Sequence, residues 1–224
     1  MQYSWLIVSV VLACGVGCSP QASWKRLDDR FIRQYKSGKY QPAALTATEA
    51  LDLARSKFGP TNTWTAVSLN HLATAYMSLG KNAEAETLVR EALAIREKIN
   101  GPEHMQCGMC WDNLGMIYQG LHRPAESESC YVRALKILQA AVGPDDIHVI
   151  SCHAHLGLLY RDQGKYAQAE SIFKQTLAQF EQQLGPAHPV VIASVENLVG
   201  LYKDWGHPRQ AAEYEQRLQQ MRRP

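Results

Sequence analysis

Apolar side chains recur at helical spacing along most of this chain, and the pattern itself repeats. Leucine and tyrosine stand four residues apart at Leu72 and Tyr76, Leu114 and Tyr118, Leu156 and Tyr160, and Leu198 and Tyr202, each pair 42 residues after the last. A separation of four places both side chains on one helix face. Small residues follow the leucines at Ala73, Gly115 and Gly157, and recur later in each unit at Ala85, Ser127, Ala169 and Ala211. Small side chains at fixed places let two helices approach closely. Gly-Pro keeps the same 42-residue step at Gly59-Pro60, Gly101-Pro102, Gly143-Pro144 and Gly185-Pro186. Glycine ends a helix in the left-handed conformation and proline prevents its resumption. Each unit is therefore predicted to be a helical hairpin. In the first full unit, one helix runs from Thr65 to Leu79, a turn lies at Gly80, and a second helix runs from Ala83 to Ile99.

The pattern divides the chain into a leader (1–18), a short linker with an irregular first hairpin (19–58), and four hairpins (59–100, 101–142, 143–184 and 185–224). The first hairpin is irregular because Tyr35 precedes Gly38 by three residues, whereas Tyr160 precedes Gly164 by four. Two further departures predict altered local packing. His122 replaces the turn glycine with Pro124 following, and Val199 stands where the other units carry Ala or Gly. The final segment, Arg209 to Arg222, is rich in Gln, Glu and Arg and suits a terminal helix with one face in water.

Gly101-Pro102-Glu103-His104, Leu69-Asn70-His71-Leu72-Ala73, Ala83-Glu84-Ala85-Glu86 and the run Arg90 to Lys98 resemble kinesin-light-chain-type tetratricopeptide repeats, in their 42-residue form. The resemblance covers Gly59 to Tyr202 and implies an all-α, right-handed superhelical solenoid of about five antiparallel hairpins. It also implies that the first helix of each hairpin lines a concave groove that binds peptide segments. The groove candidates flank the leucines and tyrosines: Asn70, His71, Asp112, Asn113, Gln119, His155, Arg161, Asn197 and Lys203. Amides and imidazoles both donate and accept, which suits an extended peptide backbone, and Arg161 and Lys203 suit an acidic side chain. Asp112, Ala154 and Glu196 depart from the paired asparagines of the family, so ligand preference does not carry over.

With 224 residues, 46% of them hydrophobic and 20% charged, the chain can bury a core, and nothing in it reads as disordered. The 23 basic and 21 acidic residues are interspersed, which speaks against nucleic acid as a partner. Leu6 to Ala13 is an apolar run broken only by Ser9, with no charged side chain before Lys25, and is short for a membrane span. Gly15-Val16-Gly17-Cys18-Ser19-Pro20 resembles a bacterial lipobox, with Cys14 a second candidate. The resemblance implies lipidation at Cys18 and, from Ser19, an outer-membrane lipoprotein facing the periplasm of the bacterial envelope. The alternative is secretion to the periplasm.

Cys107-Gly108-Met109-Cys110, with His104, His148, Cys152 and His153, is the strongest candidate for metal or thiol-redox chemistry. The repeat argues for packing instead. Cys110 and Cys152 align with Ser68 and Ser194, Cys107 with Thr65, Val149 and Val191, and Cys130 with Leu88, Ile172 and Tyr214. The eight histidines form no His-Glu-x-x-His pattern, and no phosphate-cradling loop or nucleophile elbow occurs. The expectation is a non-enzymatic adaptor without cofactor or metal. It would bind a protein or peptide and be held at the membrane by its N-terminal lipid. A metal- or thiol-redox protein using Cys107, Cys110 and Cys152 is the alternative, and a self-associating subunit that forms homo-oligomers is a third reading.

Overall fold

The computed structural model describes residues 19–222, so the leader, with Cys14 and Cys18, lies outside the described residues. The described residues form ten α-helices and no strand. They are α1 (Pro20–Lys36), α2 (Tyr40–Phe58), α3 (Thr63–Ser78), α4 (Asn82–Asn100), α5 (Met105–Gly120), α6 (Pro124–Val142), α7 (Ile147–Asp162), α8 (Tyr166–Leu184), α9 (Pro189–Asp204) and α10 (Pro208–Met221). Consecutive helices pack together, so five hairpins stack in chain order as a solenoid. Among the described residues no helix is long and apolar enough to cross a membrane.

Starts and stops repeat as strictly as the core. First helices α3, α5, α7 and α9 are capped by Asn62, His104, Asp146 and His188, each accepting the backbone N–H two residues on. Such caps contribute about 0.5–2 kcal/mol apiece. Two of the histidines therefore act as helix caps. Second helices begin differently: Lys81, Arg123 and Lys165 occupy the cap position with no side-chain hydrogen bond to the backbone. A cation there opposes the helix dipole at about 0.3–1 kcal/mol. It is offset by the ring of the preceding tyrosine, 5.3 Å from Lys81, 4.5 Å from Arg123 and 5.0 Å from Lys165, at about 0.5–1 kcal/mol. Arg123 and Lys165 also reach Glu86 (3.6 Å) and Glu128 (3.7 Å) of the preceding hairpin, which tips the balance in favour of the cation.

The same tyrosines tie hairpin to hairpin. Tyr118, Tyr160 and Tyr202 donate their hydroxyls to Glu86 (2.7 Å), Glu128 (3.0 Å) and Glu170 (2.5 Å), in each case 32 residues earlier. Ala44 stands at the corresponding place before Tyr76, so that seam lacks the bond.

Within hairpins, bulk on one helix is matched by a gap on the other. A Cβ on Gly115 would lie 2.5 Å from the ring of Tyr131, and one on Gly157 would lie 2.7 Å from Phe173. One unit earlier the same two positions hold Ala73 and Val89, both buried. In the last unit they hold Val199 and Glu215, and Glu215 turns out to Lys203 at 2.5 Å, so the larger Val199 is accommodated.

The first hairpin keeps the turn register, since Gly38 and Gly80 have φ of +72° and +74°. What differs is α1, which has 17 residues where the other first helices have 16 and is capped by Ser19 at its start. At the third turn His122 adopts φ +57°, a left-handed conformation that costs a residue with a Cβ about 1–2 kcal/mol.

His122→Gly should therefore raise stability by about 1 kcal/mol and the melting temperature by about 2–4 °C in a thermal unfolding scan. Gly115→Ala should cost about 1–3 kcal/mol by overpacking against Tyr131. In a denaturant-unfolding double-mutant cycle, Tyr131→Val should recover most of that loss. Additive single-variant effects would contradict the packing account.

Candidate functional site

The backbone of each first helix comes close to that of the next, α1 to α3, α3 to α5, α5 to α7 and α7 to α9, whereas second helices stand farther apart and are bridged by long side chains, Arg55 of α2 to Glu91 of α4 (2.6 Å) and Arg217 of α10 to Glu181 of α8. Helices closer on one side than the other bend the stack, so the first helices form its inner, concave row. All nine groove candidates lie on this row, on α3, α5, α7 and α9.

Their side chains are not equally free. Residues of adjacent first helices meet across a step of 43, one more than the repeat. His155 Nδ1–H donates to both Asp112 oxygens (2.9 and 3.1 Å), and His71 Nδ1 lies 3.3 Å from Asp28. Gln119 donates to Asp162 (2.6 Å) and accepts from the Tyr131 hydroxyl (3.1 Å), and Arg161 Nε donates to Asp204 (2.7 Å). Lys203 is drawn to Glu215, and Asn70 meets the Cys110 thiol at 3.8 Å. Asn113 and Asn197, both half-buried, have no hydrogen-bonded side-chain partner among the described residues. Asp28, Asp162 and Asp204 are not among the residues that the sequence singled out. Subtracting 43 in place of 42 pairs them with His71, Gln119 and Arg161.

The two Asp–His pairs share a geometry and differ in electrostatics. Burial disfavours the charged form of His155, but the charge and hydrogen bond of Asp112 outweigh it, and the pKa is raised. Burial also disfavours charged His71. There the pull of Asp28 is opposed by Lys25, which sits 2.9 Å from the same carboxylate, and the pKa is lowered. His71 further stacks on Phe31 with centroids 4.2 Å apart. Asp112 thus favours the charged form of His155, whereas burial favours the neutral form of His71, which lies against an aromatic ring.

The four described cysteines are free and buried, each turned to its own neighbourhood. Cys107 donates to the Gly101 carbonyl (3.3 Å), as Thr65 does to Gly59 (2.8 Å) one unit earlier. Cys152 points to the Tyr131 carbonyl (3.8 Å). Burial pushes the thiols of Cys110 and Cys130 up to about 11, which leaves them protonated and weakly nucleophilic at neutral pH. Among the described residues no group of three or more His, Cys, Asp and Glu side chains is placed to hold a metal ion. Arg96, which the repeat pattern did not single out, is buried beside these thiols, where Leu138 and Phe180 stand in later units, and donates to the Gln106 side chain.

A raised histidine pKa stabilises the fold fully below the unfolded pKa, and the gain is lost as pH rises through the folded one. Asp112→Asn should therefore destabilise the protein more at about pH 5.5 than at about pH 8. Imidazole NMR titrations should place His155 above the ordinary histidine value and His71 below it. The reverse order would remove the distinction between the two pairs.

The family model described as tetratricopeptide repeat matches residues 34–98, 64–140, 109–182 and 149–223. No curated protein matches the sequence. Among solved structures, a kinesin-light-chain-like protein from Podosopora anserina with nearly identical TPR-like repeats is similar. Its TM-score is 0.67 at 20% identity, over 90% of this chain and 95% of that one. BtubC (BKLC) from P. vanneervenii has a TM-score of 0.70 at 23% identity, over 91% of this chain and 82% of that one. The apo form of RapI has 0.66 at 12% identity, over 89% and 70%. At these identities the structural likenesses show the fold alone. The hairpins, their caps and the match from residue 34 to 223 agree, and the chain belongs to the tetratricopeptide repeat family.

Proposed function

We propose that this protein is a non-enzymatic adaptor that binds an extended peptide or protein segment along the concave row of α3, α5, α7 and α9. In this reading Cys18 carries a lipid that tethers the chain to the bacterial envelope, with the repeats facing the periplasm. Tetratricopeptide repeats serve as protein-interaction scaffolds, which is the general role the family supplies. The observation that carries the finer reading is the pair Asn113 and Asn197. These half-buried amides lie two units apart on the inner row, and neither is hydrogen-bonded by another side chain among the described residues. A side-chain amide offers a donor and an acceptor together, the pairing that a peptide backbone presents in return. Between and beside them, Asp112–His155 and Arg161–Asp204 hold the wall in place.

The amides, more than the charged members of the row, should therefore carry peptide affinity. With peptides selected for binding to the purified protein, Asn113→Ala combined with Asn197→Ala should weaken binding about tenfold or more, a loss of about 1.4 kcal/mol. Helix content by circular dichroism should stay unchanged. Selected peptides that bind the double variant as tightly as the parent would refute the groove reading. Retained binding in a variant with Cys107, Cys110 and Cys152 all changed to Ser would separate it from thiol chemistry.

A further inference from the structure

Helix α1 carries a charge found on no other helix. Between Pro20 and Lys36 it holds five basic residues (Lys25, Arg26, Arg30, Arg33, Lys36) and two acidic ones (Asp28, Asp29), a net +3 against +2 for the whole chain. By the same count of Lys and Arg against Asp and Glu, each of α2 to α10 is neutral or negative.

The placement of these cations is more telling than their number. In the 42-residue register, Arg26, Arg30 and Arg33 fall where Ser68, Leu72 and Ala75 stand in the next first helix. Later units hold Cys110, Leu114 and Ile117, then Cys152, Leu156 and Leu159, then Ser194, Leu198 and Leu201 at the same positions. All twelve of those residues are buried. α1 packs only on α2 and α3, so no preceding hairpin among the described residues covers this face. Polarity is all that solubility asks of the end of a repeat stack. The other end shows what that minimum looks like: α10 has two basic and two acidic residues among many glutamines. The α1 face instead places three arginines at i, i+4 and i+7 along one side, spanning about 10 Å of helix, around a shallow depression lined also by Ser23, Leu27 and Asp29.

These arginines are only partly neutralised within the chain. Arg30 pairs with Glu49 at 2.5 Å, an exposed contact of little strength, and Asp29 is taken by Lys25 at 3.1 Å. Arg26 and Arg33 have no carboxylate within 4 Å among the described residues, and neither does Lys36 at the end of the helix. Cys18, the residue proposed to carry lipid, directly precedes Ser19, the cap of α1.

We infer that the outer face of α1, with Arg26, Arg30 and Arg33, is a second membrane contact that binds the headgroups of anionic phospholipids. It lays the first hairpin against the bilayer and turns the remainder of the solenoid away from it. The inference rests on the tether reading for its setting, but the lipid affinity of the face is separable from it. A tether at Cys18 would hold this face close to the bilayer surface, where a basic patch is attracted to anionic headgroups. Near a negative surface each arginine adds attraction that falls off within a Debye length of about 8–10 Å.

The test uses the chain from Ser19 onward, which retains all ten helices and the whole core described above. It is sedimented with phosphatidylcholine vesicles and with vesicles containing about one-third phosphatidylglycerol. Binding should be confined to the phosphatidylglycerol vesicles and fall steeply as salt rises. Arg26→Gln combined with Arg33→Gln should weaken it about tenfold or more, whereas Lys136→Gln combined with Arg209→Gln, on exposed parts of α6 and α10, should not. All four residues are exposed, and unchanged circular dichroism would show that both variants fold. No binding to anionic vesicles, or equal loss in both variants, would overturn the assignment. Retention on RNA without retention on vesicles would overturn it as well, in favour of another polyanion. Mass analysis of Cys18 in the full chain recovered from membranes reports on the tether separately. An unmodified Cys18 with vesicle binding intact would remove the tether alone, and a lipidated Cys18 with vesicles ignored would remove the α1 face alone.

Discussion

The structure depends on a difference in spacing: the backbones of successive first helices approach closely, whereas successive second helices stand farther apart and are spanned by long side chains such as Arg55 and Glu91. No hairpin of this kind can bury its apolar side alone, so stacking is obligatory. Stacking with unequal spacing bends the array and gives it an inner side. The inner, concave row follows from that one inequality. Inside the α5–α6 and α7–α8 hairpins, Gly115 and Gly157 let the rings of Tyr131 and Phe173 come up against the helix backbone.

Polar ties between hairpins come in two sets. On one side tyrosine hydroxyls reach back to glutamates of the previous hairpin, and on the other the inner row is stitched by Asp–His, Gln–Asp and Arg–Asp contacts. Hydrogen bonds to charged groups contribute about 1.5–3 kcal/mol when sheltered, while exposed ion pairs contribute about 0–1 kcal/mol. The half-buried Tyr–Glu and Asp112–His155 contacts therefore matter more than the many surface pairs on the second helices. The inner-row ties also occupy most of the polar side chains there, which is why Asn113 and Asn197, without a side-chain partner among the described residues, stand out.

Much of this was legible because the repeat is a subtraction. Leu72, Tyr76 and Gly59 each recur at 42, and helix type and stacking order follow from them. Cross-hairpin contacts were not legible in that way, since they fall at 43 or 32 and appear only once the stack has a pitch. The first hairpin misled for a related reason. Phe31 and Tyr35 are displaced by one relative to Leu72 and Tyr76, yet the turn at Gly38 keeps step, and α1 ends in register with α3 while starting one residue earlier. The cysteines were readable as packing residues, because alignment with Thr65, Ser68 and Ser194 already marked their positions as sheltered and small. Arg96 was not, because nothing in the repeat marks a buried guanidinium where later units carry Leu138 and Phe180.

The ring of Tyr131 beneath Gly115 has a kinetic consequence. It belongs to the α5–α6 hairpin, whose two helices run close together over more residues than any other pair among the described residues. An array that interacts only between neighbours gains order outward from whichever unit forms most readily. The middle of this chain is then expected to order early, and the two end hairpins, with the arginine-bearing α1, to be released first.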